Sequence, residues 1–279
     1  MHSPNAARHD GAWAAPPVPT SGPSLVHRHW TGGRSVGIPD QLADGVRGFL
    51  VDTYAGVRRR DGVVVTGGAA SAGRRAIYLC HVRCEIGATP LLDVLRAMTR
   101  FLHRHPSEVL VIVNEDHVSA EDFTKVVKRS GLARYVYRGS AGPRWPTLRR
   151  MIASRGQVVL LAESDVRGAP WYHPAYEGIV QETPYSFNNV AQLTEPAKRA
   201  ASCEPNRGPV TAPLMLVNHW ITTDPAPRPS NAARVNAYDP LLARARECQR
   251  IRKRLPNLIA VDFYRRGDVF RVVDTLNGV

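Results

Sequence analysis

Lysine and long apolar segments are scarce in this sequence of 279 residues. No stretch approaches the roughly eighteen consecutive apolar residues that a membrane-spanning helix needs, so the sequence predicts none. Four of the 37 basic residues are Lys, and Arg therefore supplies nearly all of the net charge of +13. Short basic clusters such as Arg58–Arg60 lack interleaved aromatic residues, which argues against a specific nucleic-acid partner. A positive charge of this size attracts anions, although scattered arginines are also typical of an ordinary solvated surface.

The first part of the chain has little periodic pattern. Residues 1–36 are rich in Pro, Gly, Ala and His, which predicts a flexible N-terminal segment. Residues 1–19 contain no apolar segment of the kind that a secretory signal requires. Further along, the sequence shows no internal repeat and no linker, so we expect a single domain over residues 37–279.

Apolar segments rich in β-branched residues alternate with helical patterns in the rest of the chain. The main apolar segments predict strands at 45–54, 108–117, 157–164, 213–220 and 257–264. Two shorter ones, 62–67 and 76–81, predict a hairpin or strand pair on either side of a loop. Amphipathic spacing predicts helices, most clearly at 91–105 and 237–256. Strands that are apolar throughout and separated by helices are typical of a parallel α/β sheet covered on both faces.

Polar residues stand at the ends of nearly all the predicted strands. They are Asp52, His81, Glu115, Glu163, Asn218, His219 and Asp262. In an α/β barrel the C-terminal strand ends converge on one face, where catalysis takes place. One such residue could be a chance loop residue, but the repetition predicts a functional site at this face.

Cysteine occurs four times, at Cys80, Cys84, Cys203 and Cys248. The even number fits two disulfides, which would indicate an oxidising compartment, and reduced thiols in a cytosolic protein are the alternative. Zinc bound by Cys80, His81 and Cys84 is a third interpretation. It is disfavoured because adjacent residues on a strand point to opposite faces and because the CxxC spacing of a zinc knuckle is absent.

Several segments, taken in order, resemble one known group of proteins. They are "QLADGVRGFLVDTY", "LCHVRC", "EVLVIVNEDHVS", "WPTLRRMI", "QETPYSF", "LVNHW", "NLIAVDFYRRGD" and "VVDTLNG". In this order they are similar to the phosphatidylinositol-specific phospholipase C X-domain superfamily, especially its PLC-like phosphodiesterases, from about Gln41 to Gly278. The resemblance implies an α/β fold of the TIM-type (β/α) barrel kind, distorted or incomplete in this chain.

The resemblance also implies roles for the residues at the strand ends. The family cleaves phosphodiesters with two histidines, and His81 resembles the general acid that protonates the leaving oxygen. Asp262 would pair with a catalytic imidazole, while Asn218 and His219 would contact the substrate or orient His81. Tyr54 stands where metal-free bacterial members carry an Arg, and we expect it to contact the substrate. A structural role is the alternative for each of these residues.

The same resemblance implies a role for the cysteines. It implies that Cys80 and Cys84 form a disulfide that holds the loop carrying His81, and we expect Cys203 and Cys248 to be disulfide cysteines as well.

Negative charge on the phosphoryl oxygens must be offset by a cation or a metal ion. In calcium-dependent members, acidic residues at the positions of Asp52 and Glu115 bind Ca²⁺, and these two carboxylates are the expected metal ligands and catalytic residues here. A second acid is expected two residues before Asp52, but Leu50 stands there. The sequence therefore fits neither the calcium arrangement nor the arginine arrangement fully. Hydrogen bonding within the barrel mouth, without a metal, is the alternative role of both carboxylates.

The first histidine motif of the family, T-H-N-A-M, is not recognisable. Met1 matches the last residue of that motif, so we expect the reading frame to begin upstream, with the first barrel strand missing from the sequence as written. Without such an extension, His2 or His9 would have to supply the general base.

These features predict a phosphoric diester hydrolase or lyase that uses histidine acid–base catalysis on a phospholipid headgroup or a similar phosphodiester. The alternative is a catalytically impaired barrel that binds an anionic ligand or a membrane surface. An unrelated barrel hydrolase is a third interpretation. The resemblance and the cysteines together predict a secreted monomer with peripheral membrane contact.

Overall fold

The computed structural model describes residues 15–18, 37–67, 73–81, 83–140, 145–164, 166–223 and 227–279. The strands are β1 (Ala15–Val18), β2 (Gly48–Arg58), β3 (Val64–Thr66), β4 (Arg75–Leu79), β5 (Thr89–Pro90), β6 (Leu110–His117), β7 (Val158–Ala162), β8 (Tyr172–Pro174), β9 (Val180–Glu182), β10 (Leu214–His219) and β11 (Leu258–Val261). The helices are α1 (Ile38–Asp44), α2 (Leu91–Arg104), α3 (Ala120–Ser130), α4 (Leu148–Ala153), α5 (Ala191–Thr194), α6 (Pro196–Arg199), α7 (Pro229–Val235), α8 (Tyr238–Arg252) and α9 (Val269–Asn277).

Two sheets form the centre of the fold. In the first, β2, β6, β7 and β8 are parallel neighbours, and β3, β4 and β5 add antiparallel strands around β2. In the second, all strands are parallel in the order β1, β11, β10, β9. Over the described residues, no ladder joins β1 to β2 or β8 to β9. The eight parallel strands thus follow the order of a TIM-type barrel but do not close it.

Strand β1 corrects one sequence-based expectation. The sequence predicted no strand before residue 45, and so a barrel without its first strand. In the structure Ala15–Val18 pairs in parallel with β11 and also contacts β2. This short segment, rich in Pro and Ala, carries no alternating apolar pattern that could have predicted a strand. The other residues of the 1–36 segment, among them His2 and His9, lie outside the described part of the chain.

Strands β3 and β4 correct a second expectation. They do not pair with each other as a hairpin, because each pairs antiparallel with the long strand β2. Gly56 of β2 lies opposite Thr66 on one side and Ala76 on the other. The C-terminal half of β2 is therefore the middle strand of a ribbon that extends beyond the barrel.

Helix α3 illustrates how local sequence sets the element boundaries. The side chain of its N-cap residue Ser119 accepts a hydrogen bond from the backbone N–H of Asp122. At the other end Gly131 adopts a left-handed φ of 83°, which glycine reaches without the steric cost that a side chain brings. A capping serine and a terminal glycine thus define the two ends of this helix.

Two apolar layers lie on either side of the parallel strands. Inside the barrel, one layer is built from alternate residues of β6, β7, β10 and β11, among them Val111, Val113, Val159, Leu161, Leu214, Leu216, Leu258 and Ala260. The intervening residues point outward and pack beneath α2, α3, α8 and α9, among them Ile112, Leu160 and Ile259. Burial on both faces explains why these strands are apolar throughout. The single-domain assignment of residues 37–279 stays a prediction.

The two disulfides are Cys80–Cys84 and Cys203–Cys248. This confirms the disulfide interpretation of the cysteines and removes the thiols that a zinc site would need. The second disulfide links the turn at Ala201–Cys203 to α8, and both of its cysteines are fully buried. A search of the described residues finds no helix with the length and apolar character needed to cross a bilayer.

Candidate active site

The inward-facing side chains of the parallel strands change from apolar to polar at one end of the barrel. Within the barrel they are apolar, as at Leu50, Val113, Leu161, Leu216 and Ala260. Side chains alternate along a strand, so the residue two positions further on points the same way. These next positions are Asp52, Glu115, Glu163, Asn218 and Asp262. These five polar residues, all predicted from the strand ends, therefore line one mouth of the barrel. The two predicted histidines, His81 and His219, do not follow this alternation.

His81 reaches this mouth from β4 and forms an ion pair with Asp52. Strand β4 runs antiparallel to β2, and the backbone N–H of Cys80 points at the Asp52 carbonyl 3.4 Å away. This pairing brings His81 alongside Asp52, and its Nδ1 lies 2.7 Å from Oδ2 of the carboxylate. The Asp52 side chain is buried, whereas that of His81 is 47% exposed. The second ring nitrogen, Nε2, makes no hydrogen bond with the described residues.

The electrostatic surroundings favour the protonated form of His81. Its hydrogen bond to Asp52 raises the pKa of the imidazole above its ordinary value, against the opposing effect of burial. The negative charges of Glu115 and Asp262 raise this pKa further. These contacts therefore shift the His81 equilibrium towards the imidazolium, the form that a general acid requires.

The Cys80–Cys84 disulfide encloses His81 in a loop of five residues. Both cysteines are buried, and they pack against Tyr78 and Val64 of the ribbon strands. The cross-link anchors both sides of the exposed imidazole to a buried cluster. This matches the role that the family resemblance implied for the two cysteines.

A second imidazole at the mouth belongs to His117, which was not among the predicted site residues. Asp52 lies directly opposite Glu115 across β2 and β6, and Tyr54 lies opposite His117. Nε2 of His117 lies 2.9 Å from a carboxylate oxygen of Glu115, and its ring stacks on Tyr54 with centroids 4.2 Å apart. The signal was present in the sequence, since His117 is two residues beyond Glu115 on the same strand. Burial, followed by the charges of Asp52 and Glu115, raises the pKa of Tyr54 to about 12.

A cluster around Arg207 occupies another part of the mouth. The Arg207 guanidinium donates to Glu163 at 2.7 Å and to Glu182 at 2.6 Å, and it lies over the Tyr176 ring at 4.1 Å. The hydroxyl of Tyr176 donates to Glu182 at 3.0 Å. Burial raises the pKa of the Glu163 carboxyl, and Arg207 opposes that increase. Glu182 and Arg207 lie on a three-residue strand and a loop, which gave the sequence no clear strand pattern to identify them.

Asn218, His219 and Asp262 take different places around β10 and β11. The Asn218 side chain donates to a Glu182 oxygen at 3.2 Å, and Asp262 is buried near His81. His219 points to the outer side of β10, where Nε2 lies 2.9 Å from the Val235 carbonyl. Burial, together with the positive charge of Arg244 beside Nδ1, lowers the pKa of His219 to about 3. The structure brings the first and third of these residues to the mouth and leaves His219 outside it.

The described residues do not fit a Ca²⁺ site built on Asp52 and Glu115. Calcium takes about six to eight oxygen ligands in proteins. Over the described ranges, no group of three or more His, Cys, Asp or Glu side chains is arranged to hold a metal ion. Each of the two carboxylates is also hydrogen-bonded to an imidazole, His81 or His117. The hydrogen-bonding alternative considered for these carboxylates describes the geometry better than the metal interpretation.

The sequence is similar to a known protein family and to several of its members. Residues 34–277 match the sequence model of the PI-PLC X domain family, described as PI-PLC X 1. A PI-PLC X domain-containing protein of Arabidopsis thaliana is 26% identical over 261 residues, which cover 86% of this chain and 54% of the relative. PI-PLC X domain-containing protein 1 of Arthroderma benhamiae is 25% identical, covering 94% of this chain and 82% of the relative. An uncharacterized secreted protein of the same fungus is 26% identical, covering 86% of this chain and 55% of the relative. The chain thus spans about half the length of two of these three relatives.

Solved structures share the fold. A mutant of the phosphatidylinositol-specific phospholipase C from Staphylococcus aureus aligns with a TM-score of 0.59 and 12% identity, covering 99% of this chain and 97% of that one. A second structure of this enzyme, from work on its membrane binding, aligns with a TM-score of 0.57 and 12% identity, covering 95% and 92%. At this identity the likeness shows the fold alone.

The fold and the mouth together define an α/β barrel-type protein with paired imidazoles and carboxylates at its C-terminal strand ends. Such a site is suited to moving protons to and from a bound substrate. Because the sequence match extends over most of the chain, this protein belongs to the PI-PLC X domain family.

Proposed function

We propose that this protein cleaves phosphodiesters as a phosphoric diester hydrolase or lyase of the PI-PLC type, with His81 as the general acid. The observation that carries the proposal is the 2.7 Å hydrogen bond between Nδ1 of His81 and the buried Asp52 carboxylate. This bond orients the ring and leaves Nε2 available for a leaving oxygen. A positioned imidazole of this kind contributes about 10²–10⁴ to the rate of a proton-transfer step.

Charge at the mouth supports the same role. Apart from Asp52, which binds His81, the carboxylates at the mouth would repel a phosphate. A cationic group must therefore stand where the phosphoryl oxygens bind. His81 supplies such a group, because its hydrogen bond to Asp52 raises the pKa of the imidazole and favours the positively charged ring. The Arg207 guanidinium is instead engaged by Glu163 and Glu182.

The general base is the second requirement of the reaction. Attack on phosphorus needs a group that accepts the proton of the nucleophilic hydroxyl or water. His117, held by Glu115 at the mouth, is the imidazole we assign to this role from the described residues. We assign no role at phosphorus to His219, which is buried on the outer side of β10.

The polar groups around the mouth favour a headgroup with several hydroxyls. Glu115 and Glu163 keep part of their carboxylates exposed, and carboxylate oxygens accept hydrogen bonds from hydroxyl donors. A polyol such as inositol carries several such donors on one face. The Staphylococcus aureus structures, which are named as phosphatidylinositol-specific, agree with this choice of headgroup.

An extracellular location and a membrane-embedded substrate complete the proposal. The two disulfides favour an oxidising compartment, and one fungal relative is named as a secreted protein. We propose that the protein acts as a monomer and contacts the membrane only peripherally.

A panel of headgroups tests the proposal. The protein is incubated with phosphatidylinositol, phosphatidylcholine and a chromogenic phosphodiester of inositol, each with and without a chelator. We expect cleavage of the two inositol substrates, little cleavage of phosphatidylcholine, and no effect of the chelator. Absence of cleavage for all three substrates, combined with measurable binding of inositol phosphate, would instead support the alternative of a barrel that binds without catalysis.

A further inference from the structure

A ribbon of three strands extends from the same end of the barrel as the candidate active site. Strand β2 is parallel to β6 as far as Tyr54 and then continues to Arg58 between β3 and β4. Arg58 lies six positions beyond Asp52, and a strand rises about 3.3 Å per residue. The end of the ribbon is therefore about 20 Å beyond Asp52 along the strand.

The end of this ribbon concentrates positive charge, and we call it the arginine tip. It consists of Arg58, Arg59, Arg60, Arg74 and Arg75, all of them exposed. Arg58 is held in place, because its guanidinium donates to the carbonyl of Gly62 and lies over the Tyr78 ring. The side chains of the other four make no hydrogen bond or ion pair with the described residues. Four guanidinium groups are thus available to an outside partner.

The surroundings of the arginine tip leave its charge largely uncompensated. The nearby acidic residues are Asp61 in the same turn and Glu85 in the turn Cys84–Ile86, which packs against β3. The Asp61 side chain accepts a hydrogen bond from the backbone of Val63 and forms no ion pair with an arginine of the described ranges. In the same turn as Glu85, Ile86 is 59% exposed, a high value for a large aliphatic side chain. Cationic groups beside an exposed apolar side chain suit the interface of a bilayer better than a polar macromolecule.

The mouth of the barrel and the arginine tip carry opposite charges. Asp52, Glu115, Glu163, Glu182 and Asp262 make the mouth acidic, so the mouth itself is repelled by an anionic surface. The arginine tip has the opposite sign and lies at the same end of the barrel. It can hold that end against an anionic surface while a single headgroup enters the mouth.

We propose that the arginine tip is a docking site for anionic lipid surfaces, which orients the barrel mouth towards its substrate. The inference rests on the proposed function, since it takes the substrate to be a membrane lipid. The attraction is electrostatic and acts within about 8–10 Å at physiological salt, so it weakens as ionic strength rises.

Matched pairs of substitutions test the docking site. Arg59→Gln/Arg60→Gln removes two charges from the tip, and Arg100→Gln/Arg104→Gln removes two exposed charges from the C-terminal part of α2, which leads away from the mouth. Each arginine near an anionic surface contributes about five-fold to partition, so the tip variant should bind roughly thirty-fold more weakly. The measurement is co-sedimentation with vesicles of equal phosphatidylserine and phosphatidylcholine, at low and high salt. The control variant should change partition less than about three-fold.

Turnover assays separate this inference from the proposed function. Hydrolysis of a water-soluble inositol phosphodiester should be equal in the tip variant and the wild type, while hydrolysis of phosphatidylinositol in anionic vesicles should fall in the tip variant. Equal vesicle partition for tip and control variants would overturn the docking site, even if turnover is intact. Loss of binding to a DNA oligonucleotide with unchanged vesicle binding would also overturn it. Tip-dependent vesicle binding without any turnover would retain the docking site and reject the proposed enzyme.

Discussion

Replacing His81 by Asn should slow cleavage in a way that depends on the leaving group. Asparagine keeps a polar side chain of similar size near Asp52 but cannot donate a proton at neutral pH. A general acid contributes about 10²–10⁴ in rate, which corresponds to about 2.7–5.4 kcal/mol of activation free energy. The His81 side chain is 47% exposed, so water shares its interactions and screens its charge. We therefore expect the lower part of this range, a loss of about 10²–10³ in kcat/KM.

Two inositol phosphodiesters that differ only in their alcohol provide the assay. An alkoxide leaves slowly unless it is protonated, so the variant should show the full loss with an alkyl ester. A nitrophenolate leaves without protonation, and the loss with this ester should stay below about ten-fold. His103→Asn, at an exposed position near the end of α2, is the control and should match the wild type. Equal losses for both esters would refute the assignment of His81 as the general acid.

Three further predictions follow from the site and the core. Asp52→Asn removes the carboxylate that raises the pKa of His81, so the alkaline limb of the kcat/KM profile should move to lower pH; an unmoved limb would show that another group controls it. His117→Asn should lower kcat/KM by about 10²–10⁴ with both the alkyl and the nitrophenyl ester, because a general base is needed whichever alcohol leaves; a loss confined to the alkyl ester would contradict the assignment. Changing Cys203 and Cys248 together to Ala opens a loop with a sequence separation of 45, so the free energy of unfolding should fall by about 4 kcal/mol in chemical denaturation; a decrease below about 1 kcal/mol would show that the cross-link stabilises little.

Much of the site could be predicted because its acidic residues directly follow the apolar patterns that predict strands. Asp52, Glu115 and Asp262 each follow an apolar strand, and the structure places all three at one mouth. Parallel strands explain this agreement, since their C-terminal ends must lie on the same side of the sheet. His117 satisfies the same alternation and is the last residue of the strand predicted at 108–117, but the site prediction for this strand included only Glu115.

Other predictions required information that a single strand does not carry. His219 also ends an apolar strand, yet it follows Asn218 directly and therefore points to the opposite side. Which side faces the barrel interior depends on how the sheet curves and on what covers it. Here α8 covers the outer side of β10, and its buried Arg244 contacts His219. The side of the sheet to which the His219 side chain points could not be predicted from the residues next to it in the sequence.

The amino-acid sequence alone was sufficient for most of the long strands and helices, the polar strand ends and the family of the protein. These depend on local periodicity, capping residues and short motifs, which are properties of neighbouring positions. Three features required the folded chain: the hydrogen bond between Asp52 and His81, the bridge that Arg207 makes between Glu163 and Glu182, and the extension of β2 into a ribbon with arginines at its end. Those contacts join positions up to 44 residues apart, and they form only when strand register and loop packing bring distant segments together.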